Sequence, residues 1–157
     1  MEKDLYPEIE NWLKIYLQDK YKNSKIRTTH TSSQLTLEVV LSNLGVNPTL
    51  AIGLKIKVDI VGIVDIRSMN QLVFVEVKDE ALTLKDLGQL WGYSQLMDPI
   101  ESFLISSTSL GGLSKLFNAL GRKDLLTYGE NRNKYMQIAR WDRKRQDLDY
   151  STLIPKV

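Results

Sequence analysis

Leu54-Lys-Ile-Lys-Val-Asp59-Ile-Val-Gly62-Ile-Val-Asp65-Ile66 and, five residues later, Leu72-Val-Phe-Val-Glu76-Val-Lys78 together decide the fold. The first stretch is β-branched and almost continuously apolar, as in a strand covered on both faces. The second resumes that pattern after a turn expected at Ser68-Met69-Asn70-Gln71, which makes a hairpin in the middle of a sheet. Charge is costly in such strands unless it is paired or used, so Asp59, Asp65, Glu76 and Lys78 carry the information. Side chains alternate, so Asp59, Val61, Ile63 and Asp65 share one face, and Phe74, Glu76 and Lys78 share one face of the partner. If residues 67 and 72 flank the turn, both sets project from the same side of the sheet, with Glu76 opposite Ile63. Asp59 then lies roughly 13 Å along the strand, and a bulge or kink near Gly62 is expected to close that gap.

Around the hairpin the chain reads as alternating elements. Leu5, Ile9, Trp12, Leu13, Tyr16 and Leu17 recur at helical spacing, with Pro7 in the first turn. Ser32 or Ser33 is expected to cap a second, short helix running through Leu44 to Gly45. After the hairpin, Thr83-Leu84-Lys85-Asp86 has the form of a capping box, and the helix it opens ends before Pro99. A strand over Ser102 to Ser106, a helix over Leu113 to Leu120 and a strand over Tyr135 to Trp141 follow. No repeat or linker divides the chain, so residues 1–157 are expected to form a single domain. Its class is α/β: a central mixed four- to five-stranded sheet flanked by helices.

The chain has 157 residues, 43% hydrophobic and 25% charged, the proportions of an ordinary globular domain. With no cysteine, thiolate metal sites, thiol nucleophiles and disulfides are excluded, and one histidine, His30, permits no imidazole cluster. The longest apolar run is broken by Lys55, Lys57 and Asp59, and the opening Met1-Glu2-Lys3-Asp4 is not that of a signal peptide. The expectation is a cytoplasmic protein with no membrane partner. A net charge of +2 permits a nucleic-acid partner without demanding one.

Two carboxylates converging with a backbone carbonyl form a hard oxygen site suited to Mg²⁺ or Mn²⁺. A lysine beside them can orient a water or neutralise charge on a phosphoryl oxygen, which is the chemistry of phosphodiester hydrolysis. In Val58-Asp59-Ile60-Val61-Gly62 and Glu76-Val77-Lys78, with Gln89 and Tyr93 on the following helix, the sequence resembles the PD-(D/E)XK nuclease superfamily. This is the restriction-endonuclease-like group that includes archaeal Holliday junction resolvases. The resemblance covers about residues 5 to 107 in element order, with valine where the family often has proline before the aspartate. It implies that Asp59 and Glu76 bind the metal, that the Val77 carbonyl assists, that Lys78 acts in catalysis, and that Gln89 supports the site. Such nucleases often add a glutamate from the first helix; Glu8 is slightly favoured over Glu10, with Glu38 a third candidate.

Trp12, Trp91 and Trp141 sit at regular apolar positions and read as core. The loop Ser106-Ser107-Thr108-Ser109 before Gly111 and Gly112 lacks the ending of a nucleotide-binding loop and reads as ordinary capping. Arg140, Arg143, Lys144 and Arg145 form the densest basic cluster and are candidate contacts to a nucleic-acid backbone. The expected activity is therefore a metal-dependent endonuclease acting on duplex or branched DNA. A homodimer would allow both strands to be cut. The alternatives are a non-catalytic nucleic-acid-binding subunit with the nuclease fold and a structural module whose strand carboxylates are merely paired.

Overall fold

A computed structural model describes residues 1–31 and 34–156. A 3₁₀ turn over Glu2–Leu5 leads into α1 (Tyr6–Lys20), followed by β1 (Lys25–His30), α2 (Leu37–Asn43), β2 (Ile60–Ile66) and β3 (Met69–Lys78). Then come α3 (Leu84–Met97), β4 (Glu101–Ser106) and α4 (Gly112–Ser114), the last continuing as a π-helical turn over Lys115–Ala119. A short pair, β5 (Thr127–Tyr128) and β6 (Lys134–Tyr135), precedes the final hairpin of β7 (Gln137–Asp142) and β8 (Asp147–Ile154).

The main sheet has six strands in the order β1-β2-β3-β4-β7-β8. The pairs β1–β2, β2–β3 and β7–β8 are antiparallel, while β3–β4 and β4–β7 are parallel. The class is thus α/β with a mixed sheet, broader than the four or five strands expected because two polar edge strands flank it. Lys25-Ile-Arg-Thr-Thr-His30 carries no apolar alternation; Arg27 pairs with Asp65 at 3.0 Å, and the His30 ring lies 2.7 Å from Glu10. Charged edge strands of this kind resist adding further strands.

Each face of the sheet has its own core. On one, Ile9, Leu13 and Leu17 of α1 cover Ile60, Val73, Val75, Val77, Ile105 and Trp141. On the other, α2, α3 and Phe117 cover Val61, Ile63, Phe74, Leu104 and Ile138. Odd and even residues alike are therefore buried over Ile60–Val64 and Val73–Val77, which is why these stretches read as unbroken apolar runs. Trp141 and Trp12 lie in the core beside α1, their rings 6.2 Å apart and near perpendicular, and Trp91 is half-buried with its indole N–H donating to the Thr127 carbonyl.

The hairpin differs from expectation in its turn. Only Arg67 and Ser68 connect the strands, both in the left-handed region at φ 51° and 66°, and Ile66 pairs with Met69. Two such residues form the tight turn whose twist suits a hairpin, although glycine or asparagine usually supplies it. The first strand is also shorter than expected: residues 54–59 approach as irregular chain, with Ile56 and Val58 buried, and β2 begins at Ile60. Gly62 is no bulge. It pairs regularly with Thr28 and Val73, and its missing side chain leaves room for Leu13 and Leu17 to close on the strand.

The expected short helix forms as α2, but its N-cap is Thr36; Ser32 and Ser33, the caps expected from sequence, lie outside the described residues. The capping box of α3 forms as expected: Thr83 Oγ1 accepts from the Asp86 N–H at 3.2 Å, and Asp86 Oδ2 accepts from the Thr83 N–H at 2.9 Å. Asp98 ends the region in a left-handed conformation before Pro99. Among the described residues no helix is long and apolar enough to cross a membrane.

Candidate active site

The site forms where the β2–β3 ladder stops. The last pair is Ile60 with Val75, so one more step places Asp59 opposite Glu76, with no bulge needed. Glu76 and Lys78 share the α2–α3 face of β3 with Phe74, while Asp59, one residue outside β2, meets Glu76 at the strand end and reaches Tyr6 of α1. At residue 58 the chain turns away, and the Val58 carbonyl takes a hydrogen bond from Thr31 Oγ1 at 2.9 Å. Val77, which would face residue 58 in a continued ladder, loses its strand partner. Asp59 Oδ2 replaces it, accepting from the Val77 N–H at 2.8 Å. A strand residue's N–H and C=O leave on the same edge, so the Val77 carbonyl faces the gap beside Asp59.

The side chains around this gap are crowded and mostly acidic. Glu76 is 6% exposed, and its carboxyl is held well above the ordinary range, first by burial and then by hydrogen bonding to Asp59 and by the Asp59 charge. Tyr6 of α1 places its hydroxyl 2.9 Å from Asp59 Oδ1 and 3.0 Å from Glu2 Oε2. Burial raises the Glu2 carboxyl as well, opposed by Tyr6 and reinforced by Asp59. Burial on its own pulls the Lys78 ammonium down. Glu76, Glu2, Asp86 and Asp59 together outweigh that effect and hold it above its usual value. Lys78 is therefore a fixed positive charge at neutral pH, suited to neutralising an anion and unsuited to removing a proton.

Two elements hold Lys78 in place. Asp86 Oδ1, on the first turn of α3, lies 3.9 Å from Nζ, so the capping carboxylate serves the helix and the lysine together. Behind the lysine, the loop after β4 is tied to the end of β3: Ser106 Oγ donates to the Glu80 carbonyl and Thr108 Oγ1 to the Asp79 carbonyl. These hydroxyls brace the strand end and do not supply the helix cap expected of this loop: the N-cap of α4 is Gly111, with no side-chain cap bond.

The candidate residues do not all converge. Asp59, Glu76, the Val77 carbonyl and Lys78 do. Glu8 lies on the opposite face of the sheet, where its Oε1 accepts from the Trp141 indole N–H at 2.6 Å. Glu10 accepts from Thr28 at 3.1 Å and contacts His30, and Glu38 accepts from the Gly53 N–H at 3.4 Å. The acid brought toward Asp59 from the N-terminal segment is Glu2, which precedes the apolar stripe used to define the helix. Pro7, marking the first turn of α1, is the sequence signal that would have placed Glu2 and Tyr6 at that end. Gln89 is exposed and donates to Tyr93 at 3.1 Å along one face of α3, a turn beyond Asp86. Asp65 is a strand-end partner of Arg27.

Among the basic residues, Arg140 shares a row with the site: Lys78 pairs with Ser106, and Ser106 with Arg140, across parallel strands. Its guanidinium is paired with Asp149 at 3.0 Å. Arg143, Lys144 and Arg145 occupy the exposed turn between β7 and β8. The strands β3, β4 and β7 run parallel, so this turn lies at the same end of the sheet as Lys78.

Among the described residues no group of three His, Asp or Glu side chains is arranged to hold an ion. The donor set at the gap is instead two carboxylates and a main-chain carbonyl, with Glu2 behind Tyr6. Four carboxyls, those of Glu76, Glu2, Asp86 and Asp59, surround the one ammonium of Lys78, an imbalance that a divalent cation would relieve and that suits a hard oxygen-liganded ion. Comparison with protein-family models, with curated proteins and with solved structures finds no match for this chain.

Proposed function

We propose that the protein is a metal-dependent endonuclease that hydrolyses DNA phosphodiester bonds, with a restriction-endonuclease-like core of the PD-(D/E)XK type. The observation that carries this reading is the register of the central hairpin, which sets Asp59 opposite Glu76 at the end of the ladder. The same strand end presents the Val77 carbonyl and Lys78. Asp59, Glu76 and the Val77 carbonyl would hold Mg²⁺ or Mn²⁺, which supplies Lewis acidity toward water and the phosphate when bound.

The chain's own groups do the rest. Lys78, kept charged by its acidic neighbours, sits where negative charge builds on the phosphoryl oxygens and stabilises it. Asp59 is fixed on both oxygens by Tyr6 and the Val77 N–H, so its remaining lone pairs point in a defined direction. Arg143, Lys144 and Arg145, with Arg140 in the row behind, give the DNA backbone a basic approach on the same end of the sheet without reading bases.

The test is cleavage of labelled single-stranded, duplex, flap and four-way-junction DNA in Mg²⁺ and in Mn²⁺, with the Asp59→Asn protein as control. Cleavage that needs the ion and vanishes in the variant is expected. Retention of DNA without cleavage would favour the non-catalytic binding subunit, and neither retention nor cleavage would leave only a structural role.

A further inference from the structure

We propose that Tyr6 is a positioning residue for the carboxylate pair, holding Asp59 in the orientation that receives a divalent cation. This rests on the nuclease reading of the site and extends it to a residue on another element. Tyr6 is 3% exposed, and its hydroxyl lies within hydrogen-bond distance of two carboxyls at once, Asp59 Oδ1 at 2.9 Å and Glu2 Oε2 at 3.0 Å.

A phenol has one proton to give. Asp59 lies in the chain just before β2, where the strand ladder no longer constrains it, and the Val77 N–H fixes only Oδ2. Tyr6 bonds Oδ1, and Glu76, itself a member of the carboxylate pair, hydrogen-bonds to Asp59 as well; anchors on both oxygens from Tyr6 and Val77 stop the carboxylate from rotating about its side-chain bonds. Glu2, on the far side of the hydroxyl, helps hold the phenol between the two acids. Partners that orient a ligating group in this way typically change metal affinity by about 10- to 100-fold when removed.

A second, half-buried phenol on the same helix provides the comparison. Tyr16 also bonds a buried carboxylate, Glu101, at 2.5 Å, but at the opposite end of the sheet. Tyr6→Phe and Tyr16→Phe each remove one hydroxyl and no ring. A purely structural phenol would alter the melting temperature and leave the ion affinity of the folded protein alone.

The experiment measures Mn²⁺ affinity by electron paramagnetic resonance for the wild-type protein and both variants, with thermal melts in chelator alongside. The expected result is Mn²⁺ affinity weakened about tenfold or more in Tyr6→Phe and unchanged in Tyr16→Phe. Unchanged affinity in Tyr6→Phe, or equal weakening in both variants, overturns the role of Tyr6 while leaving the nuclease reading standing. Absence of Mn²⁺ binding in the wild-type protein overturns that reading, and this inference with it.

Discussion

Replacing Gly62 with alanine tests the packing that brings the two carboxylates together. A Cβ at this position would stand 3.1 Å from Leu17 Cδ1, 3.2 Å from Val73 Cβ and 3.5 Å from Leu13 Cδ2. Leu17 can yield through its flexible end. Val73 cannot, because its Cβ is a branch point fixed directly opposite Gly62 in the ladder. Overpacking of a close-fitted core costs about 1–3 kcal/mol, and one methyl with a partly yielding neighbour belongs in the lower half of that range. Relief of glycine's entropy in a strand offsets about 0.5–1 kcal/mol. The net is a loss of about 1 kcal/mol, or a melting temperature lower by roughly 2–4 °C for a chain of this size. Thermal melts followed by circular dichroism in chelator give the value, and Gly62→Val should lose more. An alanine variant that melts at or above the wild-type temperature would show that α1 does not close on β2 here, and the regular ladder placing Asp59 opposite Glu76 would lose its support.

The raised carboxyl of Glu76 makes stability depend on pH: the folded state binds its proton more tightly than the unfolded chain, so metal-free stability falls as pH rises above about 4.5 toward the folded-state value. Each tenfold difference in proton affinity is worth about 1.4 kcal/mol, and Glu76→Gln should flatten that slope and raise stability at neutral pH in denaturant titrations. Glu8→Gln weakens a charge-assisted bond to the Trp141 indole, so a loss of about 1 kcal/mol is expected, with cleavage unaffected. Neutralising Arg143, Lys144 and Arg145 together should weaken DNA retention across sequences and flatten its salt dependence, by up to about 0.9 in logarithmic slope for each phosphate no longer neutralised. Filter-binding at several salt concentrations checks this, and an unchanged slope would remove the turn from the DNA path.

The face shared by Glu76 and Lys78 is legible in the sequence, while the alignment of Asp59 with them is not. Arg67-Ser68 carries none of the glycine or asparagine that marks a two-residue turn, so the turn is expected further along, at residues 68–71. That misplacement slides one strand past the other by an even number of residues. An even slip preserves which face each side chain occupies and changes only its neighbour. Asp59 is therefore read at the wrong distance from Glu76, and the bulge expected at Gly62 is compensation for a misplaced turn. The edge strands are hidden for a different reason: Lys25–His30 is polar because it closes the sheet, and Asp147–Ile154 begins with acids, Asp149 pairing with Arg140 and Asp147 accepting from the Leu148 N–H and the Tyr150 hydroxyl. Pro7 marks the end of α1 at which Glu2 and Tyr6 lie, but a helical stripe does not show that this end curls over the end of β3.

The central claim is that Asp59 and Glu76 form one cation site, and Mn²⁺ binding followed by calorimetry in buffers of different ionisation enthalpy addresses it directly. Burial beside Asp59 holds the Glu76 carboxyl well above its ordinary value, so Mn²⁺ binding, which needs the carboxylate, should release protons, and more of them as the pH is lowered from neutral; Asp59→Asn should abolish the binding. Binding that survives in Asp59→Asn, or a wild-type protein that takes up no Mn²⁺, would contradict the account.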